Sequence, residues 1–398
     1  MIVKGTLEEL LKDIPSDKLK RGGDPFPFYE KYQTFKSYLD KNLHKGVTKA
    51  AIREEIKNTT NFDKIIWLND HGLEHIKTVI ERASQILDNG NNSDLNPREI
   101  FLLLNAIQVH DLGNFYGRVG HEQKITEAIG EGLSPILFDS TEVRYIKSIA
   151  QVHGGKIKYK DGSEDKNTIH GIKEEIVSDG YKIRQRVLAS ILRFADELAD
   201  DKNRADTKLL NQGLVPRGSE IYHAYSTCLD TVRIDHIQKS VELHFKVPKD
   251  YLLKTFGKVV KNRVVRRYII DEIFERVVKM HYERIYCSKF WRNTIDIEKI
   301  WAQIEFYSTH DEDVLNMDEL LIHPDITFTL HDSEYPSNTF DIYKMCPELK
   351  LKNGKKLDGA TLEAAIKKTS NSESSAAKKK KRTPVKTRKR ILKVKKRK

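Results

Sequence analysis

Residues 101–122 read FLLLNAIQVHDLGNFYGRVGHE. Phe101 to Val109 is a largely apolar run, long enough for about two and a half helical turns. It stops at His110-Asp111, two metal-capable side chains in succession. A glycine-rich segment follows (Gly113, Gly117, Gly120), and then a second histidine, His121. An imidazole and a carboxylate at the end of a buried helix are costly unless something pairs with them. A divalent metal ion would do so. A backbone carbonyl would equally satisfy the histidine, with the aspartate capping the next turn. The dipeptide alone leaves both readings open, and the partners decide between them.

Upstream, residues 71–87 read HGLEHIKTVIERASQIL, with Asn69-Asp70 placed to cap a helix. His75, Val79, Ala83 and Ile86 share one face of it. His71 lies four residues before His75 and projects to the same side. The pair is not the H-E-x-x-H pattern, because Glu74 directly precedes the second histidine. Asn96-Pro97 opens the helix that delivers His110-Asp111. Downstream, a short amphipathic helix starts at His121. Another runs from Ser140 to Val152 with Val143, Ile146, Ile149 and Ala150 apolar, and ends at His153 before Gly154-Gly155. A second helix thus ends on a histidine. Residues 156–170 read as a polar loop carrying Lys156, Lys158 and Lys160. Tyr181 to Ala199 reads as a helix whose buried face takes Ile183, Val187, Ile191 and Leu192, with Asp196 on the adjoining face.

The flanking regions are less specific. Leu7, Leu10, Leu11 and Ile14 have helical spacing, and Phe28 to Lys41 carries Tyr29, Tyr32, Phe35 and Tyr38 on a helix. Beyond residue 207, TVRIDHI and SVELHFKV alternate at period two and are separated by Gln238-Lys239, which predicts a hairpin. Val264 to Tyr286 reads as one long helix, Ile300 to Tyr307 and Ile326 to Leu330 as strands, and Thr361 to Lys368 as a last helix. The expected fold is mainly α. An N-terminal helical segment (1–60) precedes a helical bundle (61–206), a smaller α+β accessory domain (207–347), and a helix with a disordered basic tail (348–398).

The net charge of the 398-residue chain is +12. Fourteen Lys and Arg fall between Ser374 and Lys398 with no acid among them, so the remaining residues together are slightly acidic. A broad nucleic-acid-binding face on the body is therefore not expected. The stretch 378–398 has no aromatic residue and could bind nucleic acid or another polyanion, or serve only as a solvated tail. Cys228, Cys287 and Cys346 are odd in number and far apart, which fits a reducing compartment and argues against a disulfide framework or a thiolate zinc site. The N-terminus is amphipathic and acidic within, unlike a signal peptide. With no apolar run of membrane-spanning length, the expected location is cytoplasmic.

In order, the candidates are His75, His110-Asp111, His121, His153 and Asp196. With the contexts GLEHIKTV, LNAIQVHDLGN and LRFADELADD, the region 60–205 resembles the HD-domain metal-dependent phosphohydrolase superfamily, whose signature is H…HD…D on a helical bundle. The resemblance implies that His75, His110, Asp111 and Asp196 bind a divalent ion, of the Mn, Mg, Fe, Zn or Co class. His121 and His153 would bind a second ion or contact phosphate, and Asp111, His121 and His153 would carry the catalysis. Binuclear relatives often have a His-His pair where His153 is followed by Gly154. Asn114, Arg118, Lys156 and His71 are the candidate substrate contacts. HDLGNFYGRVGHE also resembles a run in deoxynucleoside triphosphate hydrolases, although Asn114 and Arg118 stand where that group commonly has histidines. Asp70-His71-Gly72 is closer to HD proteins of bacterial defence and signalling contexts. The implied activity is hydrolysis of (deoxy)nucleoside triphosphates by a homo-oligomer. The alternatives are a phosphodiesterase or nuclease, and a nucleotide-sensing module without turnover.

Overall fold

A computed structural model of the protein describes residues 5–21, 23–44, 72–88, 94–116, 120–130, 139–158, 164–200, 202–260, 263–291, 294–307, 325–332 and 341–368. The architecture is mainly α. The bundle contains α1 (Leu7–Asp13), α2 (Phe28–Leu39), α3 (Leu73–Leu87), α4 (Pro97–Val109), α5 (His121–Gly130), α6 (Ser140–Gln151) and α7 (Gln185–Glu197). Helix α4 is the hub. Every residue from Arg98 to Val109 is buried, and α1, α2, α3, α6 and α7 all pack on it. A helix that is apolar on all sides belongs at the centre of a core. Its start is fixed locally: the Asn96 side chain accepts from the Glu99 amide at 3.0 Å, Glu99 accepts from the Asn96 amide at 3.1 Å, and Pro97 sits in the first turn.

The hub also buries polar side chains, among them Arg98 and Glu99. Arg98 donates to Glu142 of α6 at 2.6 Å and to Asp179 at 2.9 Å. Asp179 belongs to a hairpin between β1 (Ile176–Ser178) and β2 (Tyr181–Ile183). Here the structure corrects the sequence reading, which began the helix at Tyr181. Asp179 (φ 53°) and Gly180 (φ 83°) form a left-handed two-residue turn that folds the chain into a hairpin before α7 starts at Gln185.

The C-terminal α+β region begins with α8 (Glu220–Cys228). Strands β3 (Leu229–Asp235) and β4 (Ser240–Pro248) form the expected hairpin through Lys239, whose φ is 51°. A second correction follows. Residues 263–267 are not helical. They form β6 (Arg263–Arg267), paired with β5 (Phe256–Val260), and α9 runs from Ile269 to Trp291. Val264 and Val265 are exposed on this hairpin and do not continue the buried face of α9. β7 (Lys299–Tyr307) lies parallel to β4 and antiparallel to β8 (Asp325–His331), giving the order β8-β7-β4-β3. Helix α9 packs on α7, α8 and β7, so the buried side chains of the bundle and of this region form one continuous core. The last helix covers residues 359–368. The basic stretch 378–398 lies outside the described residues. Among those described, no helix is long and apolar enough to cross a membrane.

Candidate metal centre

Three helix ends and two helix starts converge. His75 lies in the first turn of α3, His110 caps the end of α4 with Asp111 next to it, His121 opens α5, His153 follows α6, and Asp196 lies in the last turn of α7. The last carbonyls of a helix lack intrahelical donors. His110 Nδ1 donates to the Ile107 carbonyl at 2.8 Å, and His153 Nδ1 donates to the Ala150 carbonyl at 2.6 Å. Each histidine caps its own helix three residues back. A carbonyl can only accept, so this bond keeps a proton on Nδ1 and turns Nε2 toward the cluster.

The Nε2 and carboxylate atoms lie at ligand spacing. His75 Nε2 is 3.3 Å from His110 Nε2, 3.4 Å from Asp111 Oδ2 and 3.1 Å from Asp196 Oδ1. His110 Nε2 is 3.4 Å from Asp111 Oδ2 and 3.6 Å from Asp196 Oδ1. Donors about 2.1 Å from a common ion stand about 3.0 Å apart in an octahedral shell and about 3.4 Å apart in a tetrahedral one. The other oxygen of Asp111, Oδ1, lies 3.2 Å from His121 Nε2 and 3.9 Å from His153 Nε2. One carboxylate thus faces two buried groups, His75-His110 and His121-His153. Mixed imidazole and carboxylate donors suit a hard or borderline divalent ion. The residues present therefore fit a metal site.

Neighbouring residues hold this arrangement. Asn114 Nδ2 donates to Asp111 Oδ1 at 2.9 Å. Gly113 lets the turn after Asp111 lie against the start of α5: a Cβ there would be 1.8 Å from the His121 carbonyl oxygen. His121 Nδ1 is 3.5 Å from the Glu122 carboxylate. Burial alone would lower the pKa of His110, but the Asp111 and Asp196 carboxylates outweigh it and raise it to about 9. Burial, together with the His110 and His121 charges, pushes His153 down to about 3. Burial works against the ionised form of Asp196, but hydrogen bonds from His110 and His75 hold it well below the usual carboxylate range.

Part of the cluster lines a cleft of about 1040 Å³. Asp111, His121, His153 and Asp196 open into it, and Glu122 and Lys156 stand on one side. Helix α9 supplies the opposite wall through Arg276, Lys279 and Glu283. Of the residues singled out in the sequence, six converge here: His75, His110, Asp111, His121, His153 and Asp196. Asn114 is buried behind Asp111, and Lys156 is exposed at the cleft. His71 and Arg118 lie outside the described residues. The sequence reading missed Glu122, whose only signal is its place directly after His121. It also missed the α9 wall, which it read only as part of a long helix.

No curated protein matches the chain. The HD-CE family model matches residues 61–279, more than half of the sequence, and so runs past α7 through α8 and into α9 as far as Lys279. The matched span contains the whole histidine–aspartate cluster and, from the α9 wall, Arg276 and Lys279. The chain is an HD-domain protein and belongs to the HD-CE family.

Proposed function

We propose that the protein is a metal-dependent phosphohydrolase acting on nucleotides, with (deoxy)nucleoside triphosphates as its substrates. HD domains in general bind divalent metals and act as hydrolases. The observation that best supports the reading is the sharing of Asp111, whose two oxygens face two histidine groups beside an open cleft. In this reading His75, His110, Asp111 and Asp196 hold a divalent ion of the Mn, Mg, Fe, Zn or Co class. Such an ion supplies polarisation of a phosphoryl oxygen and a lowered pKa for its bound water.

The chain's own groups do the rest. Asn114 fixes the orientation of Asp111, so that neither oxygen rotates away from its histidines. His153, kept neutral by burial and its cationic neighbours, presents a lone pair to a second ion or accepts a hydrogen bond from the substrate. His121, backed by Glu122, is the group placed to give a proton to the leaving oxygen. Lys156, with Arg118 and His71, would meet phosphate. The fourteen cations of 378–398 suit an accessory polyanion contact.

The test is phosphate-product analysis of the full chain with Mn²⁺ or Mg²⁺ against dNTPs, NTPs, cyclic nucleotides and single-stranded DNA, beside a His110→Ala/Asp111→Ala variant. Turnover of free triphosphates that is absent in the variant is expected. Turnover of cyclic or polymeric substrates alone would replace this reading with a phosphodiesterase. Metal bound with no turnover of any substrate would replace it with a sensor.

A further inference from the structure

Helix α7, with the residues just after it, runs antiparallel to α9, and the two meet through three ion-paired rungs. Arg193 pairs with Glu283, Glu197 with Lys279, and Asp200 with Arg276. Positions 193, 197 and 200 thus run against 283, 279 and 276, turn by turn. All six residues line the cleft, and Asp196 is one residue from the middle rung.

The rungs are not equivalent. Arg193 is bound to Glu283 through two nitrogens at 2.7 and 3.1 Å, donates to the Thr168 hydroxyl at 3.0 Å, and lies over the Tyr286 ring. Arg276 also pairs with Glu272 at 3.0 Å and lies 4.2 Å from the Tyr225 ring centroid. These two guanidinium groups are locked from several sides. The Lys279 side chain is 56% exposed, and among the described residues its ammonium hydrogen-bonds only to Glu197, at 2.7 and 3.0 Å. Glu197 is half-buried, but the ammonium end of the pair stands in solvent, and a solvent-screened pair stabilises by only about 0–1 kcal/mol. A phosphate group offers more charge and more acceptor oxygens than one carboxylate, so the exchange of partners costs little.

We propose that Lys279 is the polyphosphate-recognition residue of this site: it leaves Glu197 for the distal phosphates of the substrate, while the Arg193 and Arg276 rungs hold α9 in place. This rests on the phosphohydrolase reading. It makes the accessory α+β region part of the substrate site and assigns selection for phosphate number to α9.

The test uses the full-length chain and calorimetric binding of an α,β-methylene deoxynucleoside triphosphate beside the corresponding monophosphate. Lys279→Gln should weaken triphosphate binding about tenfold, the loss of one charge-assisted hydrogen bond. Monophosphate binding and the melting midpoint should stay nearly constant, and Lys279→Arg should restore most of the loss. Equal weakening of both ligands, an unchanged triphosphate affinity, or a parent protein that binds neither would overturn the proposal. The two readings fail separately. Nucleotide turnover indifferent to Lys279→Gln removes only this inference. Lys279-dependent triphosphate binding without turnover removes only the hydrolase.

Discussion

Asp111 divides its two oxygens between two histidine groups, and the Asn114 amide at 2.9 Å keeps that division fixed. Outer partners of this kind typically account for about 10–100-fold in metal affinity or activity. Asn114→Ala should therefore loosen metal binding and lower kcat/KM by about that factor in a protein that still melts cooperatively. Metal titration beside steady-state kinetics checks it, and unchanged affinity and kinetics would remove Asn114 from the centre. At this scale the sequence was legible wherever chemistry was local. His110 and His153 each end an apolar helix, and the same position that exposes them to the cluster gives them a carbonyl three residues back. Asn114 was legible only as a polar residue near the pair. Whether it points at substrate or at Asp111 depends on a turn that Gly113 alone permits, and no spacing rule reports that.

Among the elements, α4 was the most readable, because its capping box and continuous apolar run agree. The partner of its buried arginine was not readable. Arg98 is fully buried against Glu142, and replacing it would leave that carboxylate without its closest cation. Arg98→Met should cost about 3–5 kcal/mol of stability, seen in denaturant unfolding, and an effect under about 1 kcal/mol would contradict the role given to this pair. Two element boundaries were misread for physical reasons. At Tyr181 the helical pattern of α7 extends backward through Ile183, but Asp179-Gly180 is a two-residue hairpin signal and takes those residues into β2. At Val264-Val265 apolar residues prolong the pattern of α9, although they are flanked by Arg263, Arg266 and Arg267 on an exposed hairpin. The α9 wall was hidden for the opposite reason. Arg276, Lys279 and Glu283 have the spacing of a solvated face, and only contact with α7 turns them inward.

For the molecule as a whole, the continuous core places α9 against both the bundle and the sheet, and buries His281 within it. Neither ring nitrogen of His281 has a hydrogen-bond partner among the described residues. Burial first, then the Arg284 and His331 charges, lower its pKa to about 3 from an ordinary value of 6.5. The unfolded chain therefore binds this proton more readily than the folded one. The stability that His281 contributes in its neutral form is complete above pH 6.5 and falls as pH drops toward 3. By about pH 5 the loss is roughly 2 kcal/mol. His281→Met should show a shallower fall in melting midpoint between about pH 7 and pH 5 than the parent, and parallel profiles would contradict it.

The measurement that bears most directly on the account is the divalent metal content of the purified full-length protein, by elemental analysis, beside the His110→Ala/Asp111→Ala variant, with melting curves for both. The account predicts one or two ions per chain in the parent. It predicts none in the variant, and a parent melting midpoint that falls on chelation while the variant's does not. A parent that holds no ion when supplied with Mn²⁺, Mg²⁺, Fe²⁺, Zn²⁺ or Co²⁺, or a folded variant that holds as many, would contradict it.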